Sequence, residues 1–241
     1  AGFAKSLQSY GEPLVLQNTV AANFTRYTLS DISAMLGPQD EISSLFKHTT
    51  PVFGPYYDSR RPLHQLPSVQ GASPYEEAAR LPVRDIGRAF SADGPPYYSL
   101  SIRPEELGLP MFNISEMVSL HPQKSSVNLW LGMKGGTTPC HYDGYHNMYV
   151  QLSGKKKFVL FPPGSMRSMQ VFPFLHPSYG QCGGRMDDLP WQERTWREVT
   201  LSPGELLYIP PFWLHEVVGI TPSVAFNVWS GVTDEDIFQK V

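Results

Sequence analysis

The spacing of apolar positions along this chain changes character near residue 97. Before it, apolar residues fall in short helical or irregular groups. Thr28-Leu29-Ser30-Asp31-Ile32 opens on hydroxyl and carboxylate side chains, keeps helical spacing through Leu36 and stops at Gly37-Pro38, which predicts a short helix. Ser73-Pro74 ahead of Tyr75-Glu76-Glu77-Ala78-Ala79-Arg80 puts Ser at an N-cap and Pro at the first helical position, predicting a second helix. Pro13-Leu14-Val15-Leu16 reads as a short strand, and residues 48–72 as an ordered loop without periodicity. From Tyr97 onward the period is two. Residues 97–102, 126–132, 147–152, 155–161, 206–209, 215–218 and 223–229 are strand candidates.

Ser153-Gly154, between two β-rich runs, predicts a two-residue hairpin with Gln151 opposite Lys156 and Tyr149 opposite Phe158. In that register Asn147, Tyr149, Gln151, Lys156 and Phe158 share one face. Parity carried back through Gly144 adds His141 and Asp143. Of three consecutive lysines, Lys156 alone points to that face, and Lys155 and Lys157 point away.

Composition turns this pattern into a fold class. The 23 prolines and 20 glycines are dispersed and punctuate short segments, as in an all-β domain with frequent turns. With 241 residues, 41% of them hydrophobic, the chain suits a single domain. Residues 1–92 form an N-terminal elaboration and 93–241 the β core. A net charge of −3 without a basic tract argues against a nucleic-acid partner. No apolar run approaches the roughly 18 residues of a membrane span. Two cysteines, Cys140 and Cys182, make no disulfide framework and point to a reducing compartment, cytoplasmic or nuclear. Two glycosylation sequons, at Asn23 and Asn113, match the number chance supplies.

The candidate chemistry lies at His141-Tyr142-Asp143 and, much later, at His215 in Pro211-Phe212-Trp213-Leu214-His215. Two residues apart on a strand, His141 and Asp143 project from one face. With His215 from a distant strand they form the two-imidazole, one-carboxylate facial set of non-haem Fe(II) oxygenases. The spare histidines are His146, expected in a loop and outside the ligand set, and His176, expected at the substrate entrance. Between Arg197 and Lys240 there is no Lys or Arg, so a cation beside the metal has to come from elsewhere in the chain, which again points to Lys156. Residues 164–198 are long for a connection and carry Phe172, Phe174, Tyr179, Trp191 and Trp196 with Arg167, Arg185, Arg194 and Arg197. Two readings stand for this insertion: a cover over the mouth of the barrel, or a flap on the outside of the sheet.

Thr137-Thr138-Pro139-Cys140 running into His141-Tyr142-Asp143, then Asn147, Gln151, Gly154, Lys156 and Phe161-Pro162-Pro163, resembles the JmjC/cupin-like 2-oxoglutarate oxygenases. The likeness resumes at Pro203-Gly204-Glu205, Ile209-Pro210, Trp213, His215 and Asn227-Val228-Trp229. Within that family it looks most like the subgroup of the asparaginyl hydroxylase that inhibits hypoxia-inducible factor. The resemblance implies a mainly β fold, a double-stranded β-helix (jelly-roll), with Fe(II) held by His141, Asp143 and His215. It implies 2-oxoglutarate as co-substrate with O₂, its far carboxylate paired with Lys156 and Thr138, and Asn147 and Asn227 near iron and co-substrate. A tyrosine from the early strand, Tyr98 or Tyr97, would complete that pocket. The activity implied is hydroxylation of a protein or peptide side chain. Demethylation of N-methyl-lysine comes next and oxidation of an RNA base after it; a non-catalytic cupin-fold binding module is the rival of another class. About a dozen residues follow Trp229, too few for that hydroxylase's dimerisation helices, which puts the family's dimer in doubt for this chain and leaves the oligomeric state open, a monomer among the readings.

Overall fold

A computed structural model describes residues 7, 10–19, 27–35, 41–48, 51–52, 76–102, 125–173, 176, 178–184, 189, 195–231. Two antiparallel sheets face each other. The larger uses β1 (Leu14–Leu16), β2 (Glu41–His48), β3 (Glu76–Pro82), β4 (Tyr97–Ile102), β5 (Ser125–Gly132), β7 (His146–Ser153), β10 (Leu206–Ile209) and β12 (Ser223–Ser230), in the order β1-β10-β7-β12-β5-β4-β2-β3. The smaller is β6-β11-β8-β9, from β6 (Thr137–His141), β11 (Leu214–Gly219), β8 (Lys156–Phe161) and β9 (Arg197–Leu201). The arrangement is the expected mainly β jelly-roll. Successive strands from β5 to β12 switch between sheets more often than they pair with their chain neighbours.

Alternation gives each sheet two apolar faces, and each face has its own cover. Between the sheets pack Tyr149, Phe158, Leu160, Leu207, Ile209, Trp213 and Ala225. On the far side of the large sheet Leu129, Leu131, Met148, Val150, Tyr208, Phe226 and Val228 lie under Ile32 of α1 (Leu29–Met35) and Ile86 and Phe90 of α2 (Ile86–Ser91). On the far side of the small sheet Cys140, Val159, Phe161 and Leu214 are covered by Met169 and Leu189 of the insertion.

Helix α1 falls where its pattern predicts. Asp31 Oδ2 accepts from the Thr28 backbone N–H at 2.8 Å and from the Thr28 hydroxyl, while Asp31 N–H returns to Thr28 Oγ1 at 3.3 Å. This reciprocal cap satisfies two of the helix's unpaired donors.

Three expectations are corrected. Residues 76–82 form strand β3, not a helix: pairing of Ile42 with Leu81 and of Phe46 with Ala78 overrides the helical propensity of Glu76-Glu77-Ala78-Ala79. Ser153-Gly154 is not a hairpin turn, because β7 and β8 lie in opposite sheets. Gly154, at φ +70°, carries the chain across, and a Cβ there would meet the Pro222 carbonyl oxygen. Cys140 and Cys182 are joined as a disulfide across 42 residues. Most of the 48–72 loop and both sequons lie outside the described residues, as do Phe174, Arg185, Trp191 and Arg194.

Candidate metal and co-substrate site

His141 is the last residue of β6 and His215 the second of β11; they are direct partners across the antiparallel pair. Both rings therefore leave the same face, with centroids 4.2 Å apart. Asp143 lies beyond the end of β6, in the crossing to β7, so strand alternation does not place it. The crossing is pinned instead by Tyr142 N–H to the Gly180 carbonyl at 3.0 Å and by Phe212 N–H to the Asp143 carbonyl at 2.9 Å. The three side chains each present a ligand atom, and these atoms lie within 4.8 Å of one another.

Their chemistry fits a divalent ion. His141 Nδ1 lies 2.7 Å from the Pro139 carbonyl and His215 Nδ1 3.0 Å from that of Trp213. A carbonyl only accepts, so each Nδ1 carries the proton and each Nε2 keeps its lone pair for a metal. Burial, with His141 alongside, holds His215 well below the ordinary imidazole value, against a smaller opposing pull from Asp143. The ring is neutral, as a ligand must be.

Asp143 is oriented by a chain of donors. Trp130 Nε1, which can only donate, bonds Asn227 Oδ1 at 2.8 Å. That fixes the Asn227 amide, whose Nδ2 donates to Asn147 Oδ1 at 3.1 Å; the Asn147 Nδ2 then donates to Asp143 Oδ2 at 3.3 Å. Trp229 Nε1 reaches the same oxygen at 3.2 Å. Asn147 and Asn227, expected near iron and co-substrate, thus act on the Asp143 carboxylate. Trp130 and Trp229 were missed as site residues. Their signal was alternation: 128 and 130 on β5, and 227 and 229 on β12, are inward positions.

Lys156 sits where expected, for a different reason. It opens β8 and faces the large sheet across the interior, its Nζ donating to Tyr149 OH at 2.8 Å. Tyr149 and Phe158, expected as hairpin neighbours, meet edge to face across the sandwich at 4.9 Å. Burial lowers the Lys156 ammonium to about 8 and pushes the Tyr149 hydroxyl up. Among the described residues no carboxylate pairs with Lys156. Lys157 reaches outward to Glu198 at 3.6 Å, and Lys155 lies in the exposed turn.

Thr138 is three residues from His141, and simple alternation would set them on opposite faces. A bulge resolves this: His215 pairs with His141 but Val217 with Thr138, so three steps on β6 match two on β11. Thr138 is thereby turned to the face of Val217, where it is exposed and lines the cleft beside His141. Tyr98 is a correction. It packs on Phe90 at 6.2 Å, with the cluster under the helices on the opposite face of the large sheet, and Tyr97, the alternative, is also packed against that cluster. The hydroxyl that meets Lys156 belongs to Tyr149.

The insertion divides between the two roles foreseen for it. Its body packs outside the small sheet through Met169, Leu189 and the Cys140–Cys182 bond. Residues 179–181 return to the site: Gln181 pairs with His141, and Tyr179, Gly180 and Gln181 line a cleft with Thr138, His141 and Tyr142. His176 stacks on Phe172 at 4.3 Å and accepts from Ser178 N–H. His146 opens β7 and bonds Tyr208 OH through Nδ1 at 2.8 Å. Neither joins the ligand set.

Residues 109–231 match the Cupin-like domain family. The lysine-specific demethylase JMJ31 of Arabidopsis thaliana is 34% identical over 113 residues, 44% of this chain and 21% of its own length. HSPB1-associated protein 1 of Homo sapiens is 34% identical over 124 residues, 45% of this chain and 24% of its own. The tRNA wybutosine-synthesizing protein 4 of Gibberella zeae is 33% identical over 130 residues, 52% of this chain and 11% of its own. The chain thus spans a quarter or less of the length of these curated relatives.

Proposed function

The chain belongs to the Cupin-like domain family, and we propose that it is an Fe(II)- and 2-oxoglutarate-dependent oxygenase that hydroxylates a protein side chain. The observation that carries this is the pairing of the His141–Asp143–His215 cluster with an inward-facing, partly buried lysine that has no carboxylate partner among the described residues. A binding module needs neither. Bound iron, 2-oxoglutarate and O₂ supply an oxidative decarboxylation coupled to C–H oxidation. The chain's own part is to hold and orient. His141 and His215 offer Nε2 with the tautomer set by backbone carbonyls, and Asp143 offers a carboxylate held by Asn147 and Trp229. In this reading Lys156 neutralises the far carboxylate of the co-substrate and Thr138 donates a hydrogen bond to it. The apolar interior around Phe158, Leu160 and Trp213 keeps water from this centre.

Kinship with the asparaginyl hydroxylase subgroup is part of this proposal and favours a protein or peptide substrate. A second reading, demethylation of N-methyl-lysine through the same hydroxylation step, is favoured by the name of the Arabidopsis relative. Succinate release from 2-oxoglutarate under Fe(II) and O₂ tests the class. Asp143→Ala is expected to lose both iron and turnover, and Lys156→Ala to raise the 2-oxoglutarate requirement by about two to four orders of magnitude, from about 3–5 kcal/mol for a charge that loses its partner. Full iron retention and turnover in Asp143→Ala would overturn the assignment. Peptides screened for a gain of one oxygen or a loss of methyl separate the two substrate readings.

A further inference from the structure

Ser223 and Gly132 are direct partners across β12 and β5, on the inner face of the large sheet that Lys156 overhangs. Ser223 is fully buried, and its Oγ has no hydrogen-bond partner. A buried hydroxyl left unpaired is a cost that native chains seldom carry without a reason. Gly132 shows what lies beside it. A Cβ at 132 would stand 3.0 Å from Ser223 Oγ, 3.1 Å from Lys156 Cε and 3.4 Å from Lys156 Nζ. Hydroxyl and ammonium therefore border the same small space, kept open by the absence of a side chain at 132. Tyr149 stands next to it: its oxygen accepts from Lys156, which leaves its own proton to give. Lys156 has two further N–H bonds. The groups gathered here are thus donors without an acid among the described residues. The other unpaired polar atom on this face, Gln151 Oε1, is an acceptor whose amide is held by the Ser153 and Val224 carbonyls, and it offers an anion nothing.

We propose that Ser223, with Tyr149 and Lys156, forms the seat for the far carboxylate of a linear 2-oxo diacid, and that Gly132 keeps this seat open and so sets selectivity for the diacid. The inference rests on the reading of the site as a 2-oxoglutarate site. A carboxylate has lone pairs for all three donors, and its charge answers the unpaired ammonium. A 2-oxo acid without the second carboxyl would gain nothing here.

The experiment is a calorimetric titration of Mn(II)-loaded protein, with no turnover involved. The probes are 2-oxoglutarate and 2-oxobutanoate, which lacks the far carboxylate. The native chain is expected to prefer the diacid. Ser223→Ala is expected to lose about tenfold of that preference, the size of one lost hydrogen bond to a charged group, with 2-oxobutanoate unchanged. Without ligand, Ser223→Ala is expected to melt no lower than the native chain, since the hydroxyl it removes is unpaired; a lowered melting point would mark a structural serine and overturn the proposal. Gly132→Ala is expected to lose at least as much preference while keeping Mn(II), because the atoms it crowds are movable side-chain ends. If both variants keep the native ratio while Lys156→Met abolishes it, Lys156 alone forms the seat and the inference fails. If Lys156→Met also keeps the ratio, or the native chain shows none, the co-substrate reading itself fails.

Discussion

At the residue scale the site depends on hydrogen bonds that no ligand motif contains. Trp229 gives its single N–H to the carboxylate that completes the metal cluster. Trp229→Phe keeps the ring shape and removes that bond. Metal affinity is expected to fall about tenfold, with little change in the thermal midpoint, as read by competition with a chromogenic chelator. An unchanged affinity would mean that Asn147 alone orients Asp143. Lys156 predicts a pH dependence. Lowered to about 8, it is charged below that value and neutral above it. Affinity for 2-oxoglutarate is therefore expected to be constant below pH 8 and to decline as pH rises past it, the decline being delayed because a bound carboxylate favours the ammonium. Stability of the unliganded protein runs the other way. Between about 8 and the ordinary lysine value the unfolded chain holds more protons, so stability rises with pH in that window. Lys156→Met is expected to flatten both curves, measured by calorimetry and by urea unfolding at pH 7 and 9.

At the element scale the insertion is two devices in one stretch. Its body covers Val159, Phe161 and Leu214, while residues 179–181 reach the cleft beside His141. Removing the whole insertion would uncover the sheet, so a single change at the tip is the better probe. Tyr179→Ala is expected to leave metal and co-substrate binding intact, to preserve slow 2-oxoglutarate decarboxylation without substrate, and to raise the KM for the substrate once that is identified. Parallel measurements of succinate and oxidised peptide check this. Normal coupling and KM in Tyr179→Ala would leave the insertion only its covering role.

At the scale of the whole molecule, the region before the β core is part of the sheet. Leu14–Leu16 pair with β10, and β2 and β3 extend the opposite edge. The Trp213 indole N–H bonds the Gly11 carbonyl at 3.1 Å, two residues before His215, and Arg197 pairs with Glu12 at 2.8 Å. The large sheet needs its far face covered, and α1 and α2 cover it. Phe90, fully buried there, is the test: Phe90→Ala is expected to cost about 3–5 kcal/mol in urea unfolding, with the metal cluster intact in what remains folded. A loss under 1 kcal/mol would mean that the helices are not part of the cooperative core.

What the sequence determined by itself is the local and the chemical. Period-two runs place strands β4, β5, β7, β8, β10, β11 and β12 to within a residue or two, because alternation is a property of one strand and its two environments. The residue types of the proposed site, His141, Asp143, His215 and Lys156, were legible because the proposed metal ligation and carboxylate binding admit few side chains. Only the tertiary structure decided which strands are neighbours. Ser153-Gly154 has the composition of a hairpin turn, yet joins opposite sheets, since local chemistry specifies a turn and not the partner of the strand that follows. The same holds for the β6 bulge that brings Thr138 round, for Glu76–Pro82 as a strand, for Cys140 meeting Cys182, and for Tyr149 rather than Tyr98 beside Lys156. Each depends on contacts between residues far apart in the chain, and no window of sequence contains them.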